Sequence, residues 1–225
     1  MKVWKIVKKM LPFFGTCTLD GISRRSRNTS MNAYFITGTD TEIGKTFSTC
    51  ALLHAARRKG LTAVGFKPIA AGAEEHQGVL ANEDALALQA ASAPGFSLGE
   101  INPLCLKEAI APHIAAATEG RSLASAPLLA AFNQLAGKAD LVLVEGAGGF
   151  CVPLDEGRDM AELARDFGLP VILVVGMRLG CINHALLTIE AIHARGLRLA
   201  GWIANTLEPR MPRFEENLET LEQRI

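Results

Sequence analysis

The sequence has no apolar run approaching the roughly 18 residues that a membrane-spanning helix needs, and it has no net charge, with 23 Lys/Arg against 23 Asp/Glu. Cysteine pairing is also missing. The five cysteines, at 17, 50, 105, 151 and 181, are odd in number and never fall at CxxC spacing, which indicates neither a disulfide framework nor a zinc site. A reducing, cytoplasmic setting without a membrane partner is expected. Charged residues make up only 20% of the chain and hydrophobic ones 49%, a balance that excludes disorder and collagen-like structure. The 225 residues are enough for one α/β domain with a two-faced core and marginal for two independent cores.

The zero net charge hides an asymmetry. Residues 1–30 carry seven Lys/Arg and one acid, whereas residues 31–225 carry 16 basic and 22 acidic residues. An acidic body is unsuited to wrapping nucleic acid, which draws on clustered Lys/Arg, so no nucleic-acid partner is expected. Within the first thirty residues Trp4, Val7 and Leu11 recur at helical spacing among Lys2, Lys5, Lys8 and Lys9. Two readings fit: a basic amphipathic anchor or targeting peptide, or an extension outside the fold. We expect residues 1–30 to be a basic extension, disordered or not part of the domain, and residues 31–225 to form the domain.

From Met31 apolar runs and helical patterns alternate. Ala33–Thr37 reads as a strand, Lys45–Arg58 as a helix closed by Gly60, and Thr62–Ile69 as a second strand, together a βαβ unit. Asn82 is placed to cap a short helix reaching Ala91, and Pro112 and Pro127 sit where first helical turns begin. Leu141–Val144 is apolar at every position, as are Val171–Val175 and most of Leu199–Ala204. Strands of that kind are buried on both faces of a parallel sheet. Helices at about Met160–Phe167 and Cys181–Arg195 separate them. The expected fold is therefore α/β: a doubly wound, mostly parallel sheet with helices on both faces, whose ligands sit beyond the carboxyl ends of the strands. Phe214, Leu218 and Leu221, spaced by four and three, predict a last helix, exposed on an edge.

The strongest chemical signal is Gly38-Thr39-Asp40-Thr41-Glu42-Ile43-Gly44-Lys45-Thr46 between a strand and a helix. In that context backbone amides form an anion nest, Lys45 reaches the β and γ phosphates, and the Thr46 hydroxyl suits Mg²⁺. The run departs from G-x4-G-K-[ST], because Thr39 holds the position of the usual first glycine. Glu145 follows the buried run Leu141–Val144 and precedes Gly146-Ala147-Gly148-Gly149, where a Mg²⁺-associated carboxylate and a close backbone approach to phosphate belong. Lys67 ends the second strand on the same rim, suited to neutralising a transferring phosphoryl group or to snorkelling from a strand end. Asp84 either completes a Mg²⁺ shell or is an acid favoured at a helix N-terminus. Gly180, Cys181 and Asn183 open a helix whose free amides suit a carboxylate, although Cys181 itself reads as a small packing residue, and His113 and His184 as packing or capping histidines. Asn205, at a strand end, suits either a purine edge or a turn.

Taken together, GTDTEIGKT (38–46), GFKPIAAG (65–72), NEDALAL (82–88), PHI (112–114), VEGAGG (144–149), LGCINH (179–184) and AGWIAN (200–205) closely resemble the dethiobiotin synthetase family. The resemblance runs in order from Met31 to about Asn205. It implies an ATP- and Mg²⁺-dependent cyclo-ligase of biotin biosynthesis, a homodimer of P-loop NTPase type acting on 7,8-diaminononanoate and CO₂. An amine captures CO₂ as a carbamate, ATP phosphorylates the carbamate, and the second amine closes the ring with loss of phosphate. Carried over by position, Lys45, Lys67 and Thr41 are catalytic, and Thr46, Asp84 and Glu145 hold the metal. Nucleotide contacts fall on Glu42, Ile43, Gly44, Lys45, Thr46, Phe47, Asp84, Glu145, Gly146, Ala147, Gly148 and Asn205, the last against adenine. Gly180, Cys181 and Asn183 bind the substrate carboxylate, reaching into the partner subunit's site.

Departures are Ala71 for a frequent Ser, Arg178 for a usual Lys and Thr206 for an acid, together with an end at Ile225 where the family continues. The domain thus reads as truncated at its C-terminus. Two alternatives to the synthetase remain: a nucleotide-switched localisation or partitioning ATPase of the same fold branch, and an inactive truncated synthetase copy.

Overall fold

The computed structural model describes residues 5–6, 32–76, 78–207, 209 and 211–225. Apart from residues 5–6, the segment expected to be a basic extension lies outside the described residues. In chain order the elements are β1 (Lys5–Ile6), β2 (Asn32–Gly38), α1 (Lys45–Arg58), β3 (Ala63–Phe66), β4 (Ile69–Ala71), β5 (Glu74–His76), β6 (Val79–Ala81) and α2 (Glu83–Ala91). There follow α3 (Leu98–Ile101), β7 (Leu104–Leu106), α4 (Pro112–Thr118), α5 (Ser125–Ala136), β8 (Leu141–Glu145), α6 (Met160–Phe167), β9 (Val171–Met177), α7 (Cys181–Ala194), β10 (Leu199–Thr206) and α8 (Phe214–Arg224).

The central sheet runs β1-β10-β9-β2-β8-β3. Its five long strands are parallel, and β1 pairs antiparallel with β10 at the edge. Every residue of β9 is buried, as are four of the five in β8, because helices cover both faces. From β2 the chain crosses to β3 on one side and later fills β8, β9 and β10 around it. The loops after β2, β3 and β8 therefore open on one rim, at the point where the winding direction reverses.

The larger core holds consecutive strand residues such as Phe35 and Ile36 and so lies on both faces of the sheet; on one of them Phe35, Phe66, Phe132 and Phe167 cluster, the last two at 5.3 Å in an edge-on contact. Such pairs add about 0.5–1.5 kcal/mol beyond simple burial. A second core joins Leu173, Val175, Trp202 and Ala204 of the sheet to Cys181 and Ala185 of α7 and to Phe214, Leu218 and Leu221 of α8. The last helix is thus not exposed on an edge, since its apolar stripe covers β9 and β10. The central sheet with helices on both faces makes the chain a single-domain α/β protein.

The second strand departs from expectation. It ends at Phe66 instead of running on to Ile69, because Pro68 has no N–H for the ladder and Lys67 turns out of the sheet. The Lys67 N–H donates to Ile101 O at 2.8 Å, and its carbonyl accepts from Asn102 Nδ2 at 2.7 Å. The chain resumes as β4, which pairs with β7 in a separate two-stranded sheet, while β5 and β6 form a hairpin. These additions, unseen in the hydrophobic pattern, wall one side of the rim. Among the described residues, no helix is long and apolar enough to cross a membrane.

Candidate active site

Helix α1 begins without a side-chain cap, after Gly44 at φ 86°, so its first-turn amides have no intrahelical partners and face the rim. A side chain at Gly44 would be strained in that left-handed conformation, and its Cβ would lie 2.1 Å from Asn205 Nδ2. Glu42 also has positive φ, at 57°, an unusual conformation for a non-glycine residue. Left-handed residues within a turn are what amide nests are built from. Lys45 is buried, with Nζ donating to Asp40 O at 2.8 Å. Burial lowers its pKa to about 8, against the opposing pull of Glu145.

A buried carboxylate organises the floor. Glu145, at the carboxyl end of β8, has no exposure, and its Oε1 accepts from the Thr46 hydroxyl at 2.7 Å and from Lys67 Nζ at 2.9 Å. Its Oε2 lies 2.8 Å from Thr49 Oγ1, which is also 2.9 Å from Lys45 O; the single hydroxyl proton serves one acceptor at a time. Lys67 Nζ reaches further to Asp84 Oδ2 at 2.6 Å. Burial alone pushes the Lys67 ammonium down, but the Glu145 and Asp84 carboxylates reverse that and raise its pKa. Burial pushes Asp84 up, and Lys67 outweighs it, leaving the carboxyl below its ordinary range.

Lys45, Lys67, Glu145 and Asp84 thus place two positive and two negative groups together, which suits a site that receives more charge from a ligand. Lys45, Lys67 and Asp84 border a cleft of about 980 Å³, also lined by Thr41, Glu42, Gly44, Thr46, Phe47, Ala71, Gly72, Asn82, Ala147 and Gly148, with Glu145 buried behind them. Its far wall, Ala109 to Pro112, is largely apolar.

The structure therefore brings together most residues singled out in the sequence. Ile43 is buried beneath the loop and offers a ligand its backbone only. Gly146 lies below Ala147 and Gly148, where an added Cβ would meet the Phe35 ring at 3.2 Å. Asn205 is nine-tenths buried and already donates from Nδ2 to Ile43 O at 2.7 Å, which props the phosphate loop from behind. Gly180, Cys181 and Asn183 open α7 without a side-chain cap but do not line the cleft. Beside them Leu179 is 94% exposed and Leu187 55% exposed. Arg178, just before that turn, is ion-paired with Asp40 of the phosphate loop.

Sequence reasoning misses Thr49, which lies three residues beyond Thr46 and so on the same helix face. It also misses the second use of Asn82, whose Nδ2 donates to Ala71 O and Gly72 O, both at 3.0 Å. Asn102, the clamp on the Lys67 carbonyl, has no sequence signal at all.

A family described as an AAA domain matches residues 32–225. Over 197 residues the chain is 62% identical to the ATP-dependent dethiobiotin synthetase BioD of Aromatoleum aromaticum, covering 88% of each chain. Relatives with the same name are 54% identical, in Xylella fastidiosa over 87% of each chain and in Xanthomonas campestris pv. campestris over 86% of each.

Proposed function

The chain belongs to the ATP-dependent dethiobiotin synthetase family, and from that premise we propose how its cleft makes dethiobiotin for biotin biosynthesis. The overall activity is ATP-dependent synthesis of dethiobiotin; the assignment of steps to residues is our reading. The observation that carries it is the buried Lys67, held between Glu145 and Asp84 within the same cleft as Lys45 and the uncapped start of α1.

The phosphates of ATP lie on the amides of Gly44, Lys45, Thr46 and Phe47, with Glu42 and Ile43 completing the loop and Asn205 near the adenine. Gly146, Ala147 and Gly148 form the opposite border. One amine of 7,8-diaminononanoate adds to CO₂ and gives a carbamate with loss of a proton. A carbamate oxygen attacks the γ phosphorus and ADP leaves. The second amine then attacks the carbonyl carbon, phosphate departs and the ring closes. Lys45 and Lys67 supply fixed positive charge where negative charge develops on the transferred group, and Thr41, on the cleft surface, orients the acceptor. Exclusion of water matters because the mixed anhydride would otherwise hydrolyse.

Mg²⁺ fits this oxygen set. Two carboxylates converge on one cation, Lys67 Nζ, and the Thr46 hydroxyl shares an oxygen of Glu145. Mg²⁺ is usually held by one or two carboxylates together with substrate phosphates and waters, and the oxygens of Glu145, Asp84 and Thr46 are of that kind. Thr46, Asp84 and Glu145 would hold it, and bound there it would neutralise phosphate oxygens.

A homodimer accounts for the placement of Gly180, Cys181 and Asn183 outside the cleft of their own protomer, beside the exposed Leu179 and Leu187. In this reading they receive the substrate carboxylate in the partner's site. Residues 31–225 are the synthetase domain, and the setting is cytoplasmic.

Phosphate release with ATP, Mg²⁺ and bicarbonate, with and without the diamine and alongside mass detection of dethiobiotin, tests the reading. Release that requires the diamine and matches product one for one supports it. Steady ATP hydrolysis indifferent to the diamine would instead favour a nucleotide switch.

A further inference from the structure

Asn82 is buried, and all four hydrogen-bonding positions of its carboxamide are engaged. Oδ1 accepts from Asp84 N at 3.1 Å and Ala85 N at 3.4 Å, capping α2. Nδ2 donates to Ala71 O and Gly72 O, each at 3.0 Å. A carboxamide offers two lone-pair directions and two protons, so this side chain has no capacity left.

Its two halves hold different parts of the cleft. The oxygen fixes the first turn of α2, which carries Asp84 and with it the contact to Lys67. The nitrogen fixes the end of β4, whose Ala71 pairs with Leu106 and whose neighbouring Gly72 N–H donates to Glu108 O at 2.9 Å. Ala71, Gly72, Asn82 and Asp84 all line the cleft. A helix cap alone needs only the oxygen, and Ser or Thr would supply it. The two donated bonds serve something else.

We propose that Asn82 is a positioning residue that sets the separation between the Lys67–Asp84 pair and the Ala71–Gly72 wall, and thereby shapes the acceptor end of the cleft, where the diamine binds. The proposal rests on the synthetase reading above. The four bonds of the Asn82 side chain go to α2 and to the end of β4, and the two donated by Nδ2 touch neither Asp84 nor the phosphate loop.

The test compares wild type with N82S and N82A. Serine keeps a cap acceptor and loses both donors; alanine loses everything. Each protein is assayed for diamine-dependent phosphate release and for ATP binding. Amide hydrogen exchange is followed at Asp84 and Ala85, which report the cap, and at Gly72 and Ala73, which report the wall. Positioning by the donors predicts that N82S and N82A both raise the diamine KM at least tenfold, and that in N82S, which keeps the cap on the turn carrying Asp84, the ATP Kd stays within threefold. It further predicts that Gly72 and Ala73 exchange faster in both variants, whereas Asp84 and Ala85 exchange faster in N82A alone. Wild-type diamine KM and wild-type exchange at Gly72 and Ala73 in N82S would overturn the proposal, leaving Asn82 as a cap only. The exchange measurement needs no diamine, so it judges Asn82 even if the wild-type chain shows no diamine-dependent release, a result that would overturn the synthetase reading instead.

Discussion

Lys67 Nζ stands 2.9 Å from Glu145 Oε1, with 4% and 0% of the two side chains exposed. A pair so fully removed from water is costly to assemble, and removing one partner strands the other as a buried charge, at about 3–5 kcal/mol. K67A is therefore expected to abolish ring closure, to leave ATP affinity within a few-fold and to lower the melting temperature. Adding E145Q should restore much of the lost thermal stability without restoring turnover. A double-mutant cycle on melting midpoints and on product formation checks both statements; equal loss of ATP affinity and turnover in K67A would contradict the acceptor-end role.

Gly44 is the tightest backbone position of the phosphate loop, with φ 86° and an Asn205 atom 2.1 Å from where a Cβ would stand. In G44A either the loop shifts or the Asn205 carboxamide swings away and gives up its bond to Ile43 O. Loss of ATP affinity by tenfold or more is expected, read by calorimetric titration. The double variant G44A/N205A should recover only part of it, because the left-handed strain persists after the clash is relieved.

Lys45 has a pKa lowered to about 8 by burial, below the usual lysine value near 10.4. The unfolded chain therefore binds more protons than the folded one between about pH 8 and the unfolded value, and the stability contribution of Lys45 rises with pH through that window. Nucleotide binding works in the other direction. Phosphate anions favour the charged ammonium, so ATP binding above pH 8 should take up a proton and weaken as pH rises. Titration calorimetry at pH 9 in buffers of different ionisation enthalpy would reveal the uptake, and K45M should abolish it.

Leu218, 1% exposed on α8, packs in the core that also holds Trp202 and Val175. L218A should cost about 2–5 kcal/mol of stability, measured by urea unfolding. Its effect on the ATP Kd should be small, because the phosphate loop is not part of that core.

Much of the fold is legible in the amino-acid pattern. The βαβ opening, the buried runs Leu141–Val144 and Val171–Val175, and the helices at Lys45–Arg58 and Met160–Phe167 match the observed elements closely, since parallel strands buried on both faces leave continuous apolar runs. Lys45, Thr46, Glu145, Lys67 and Asp84 are legible as well, each from its place at a strand end or a helix start. Less visible are β4, β5, β6 and β7, each of three residues and so too short to show a period. The burial of α8 escapes the pattern too, because an amphipathic stripe tells which face is covered and not what covers it.

The sequence alone determined the order of strands and helices, the phosphate loop and the residue types that carry the charge. Only the tertiary structure decided that Asp84 and Glu145, 17 and 78 positions from Lys67, share its one cation, and that Asn82 and Asn102 hold the backbone around them. Hydrophobic periodicity acts over a few residues and is written locally, whereas a buried ion pair requires both partners to be desolvated at the same point in space, a condition set by how the sheet winds.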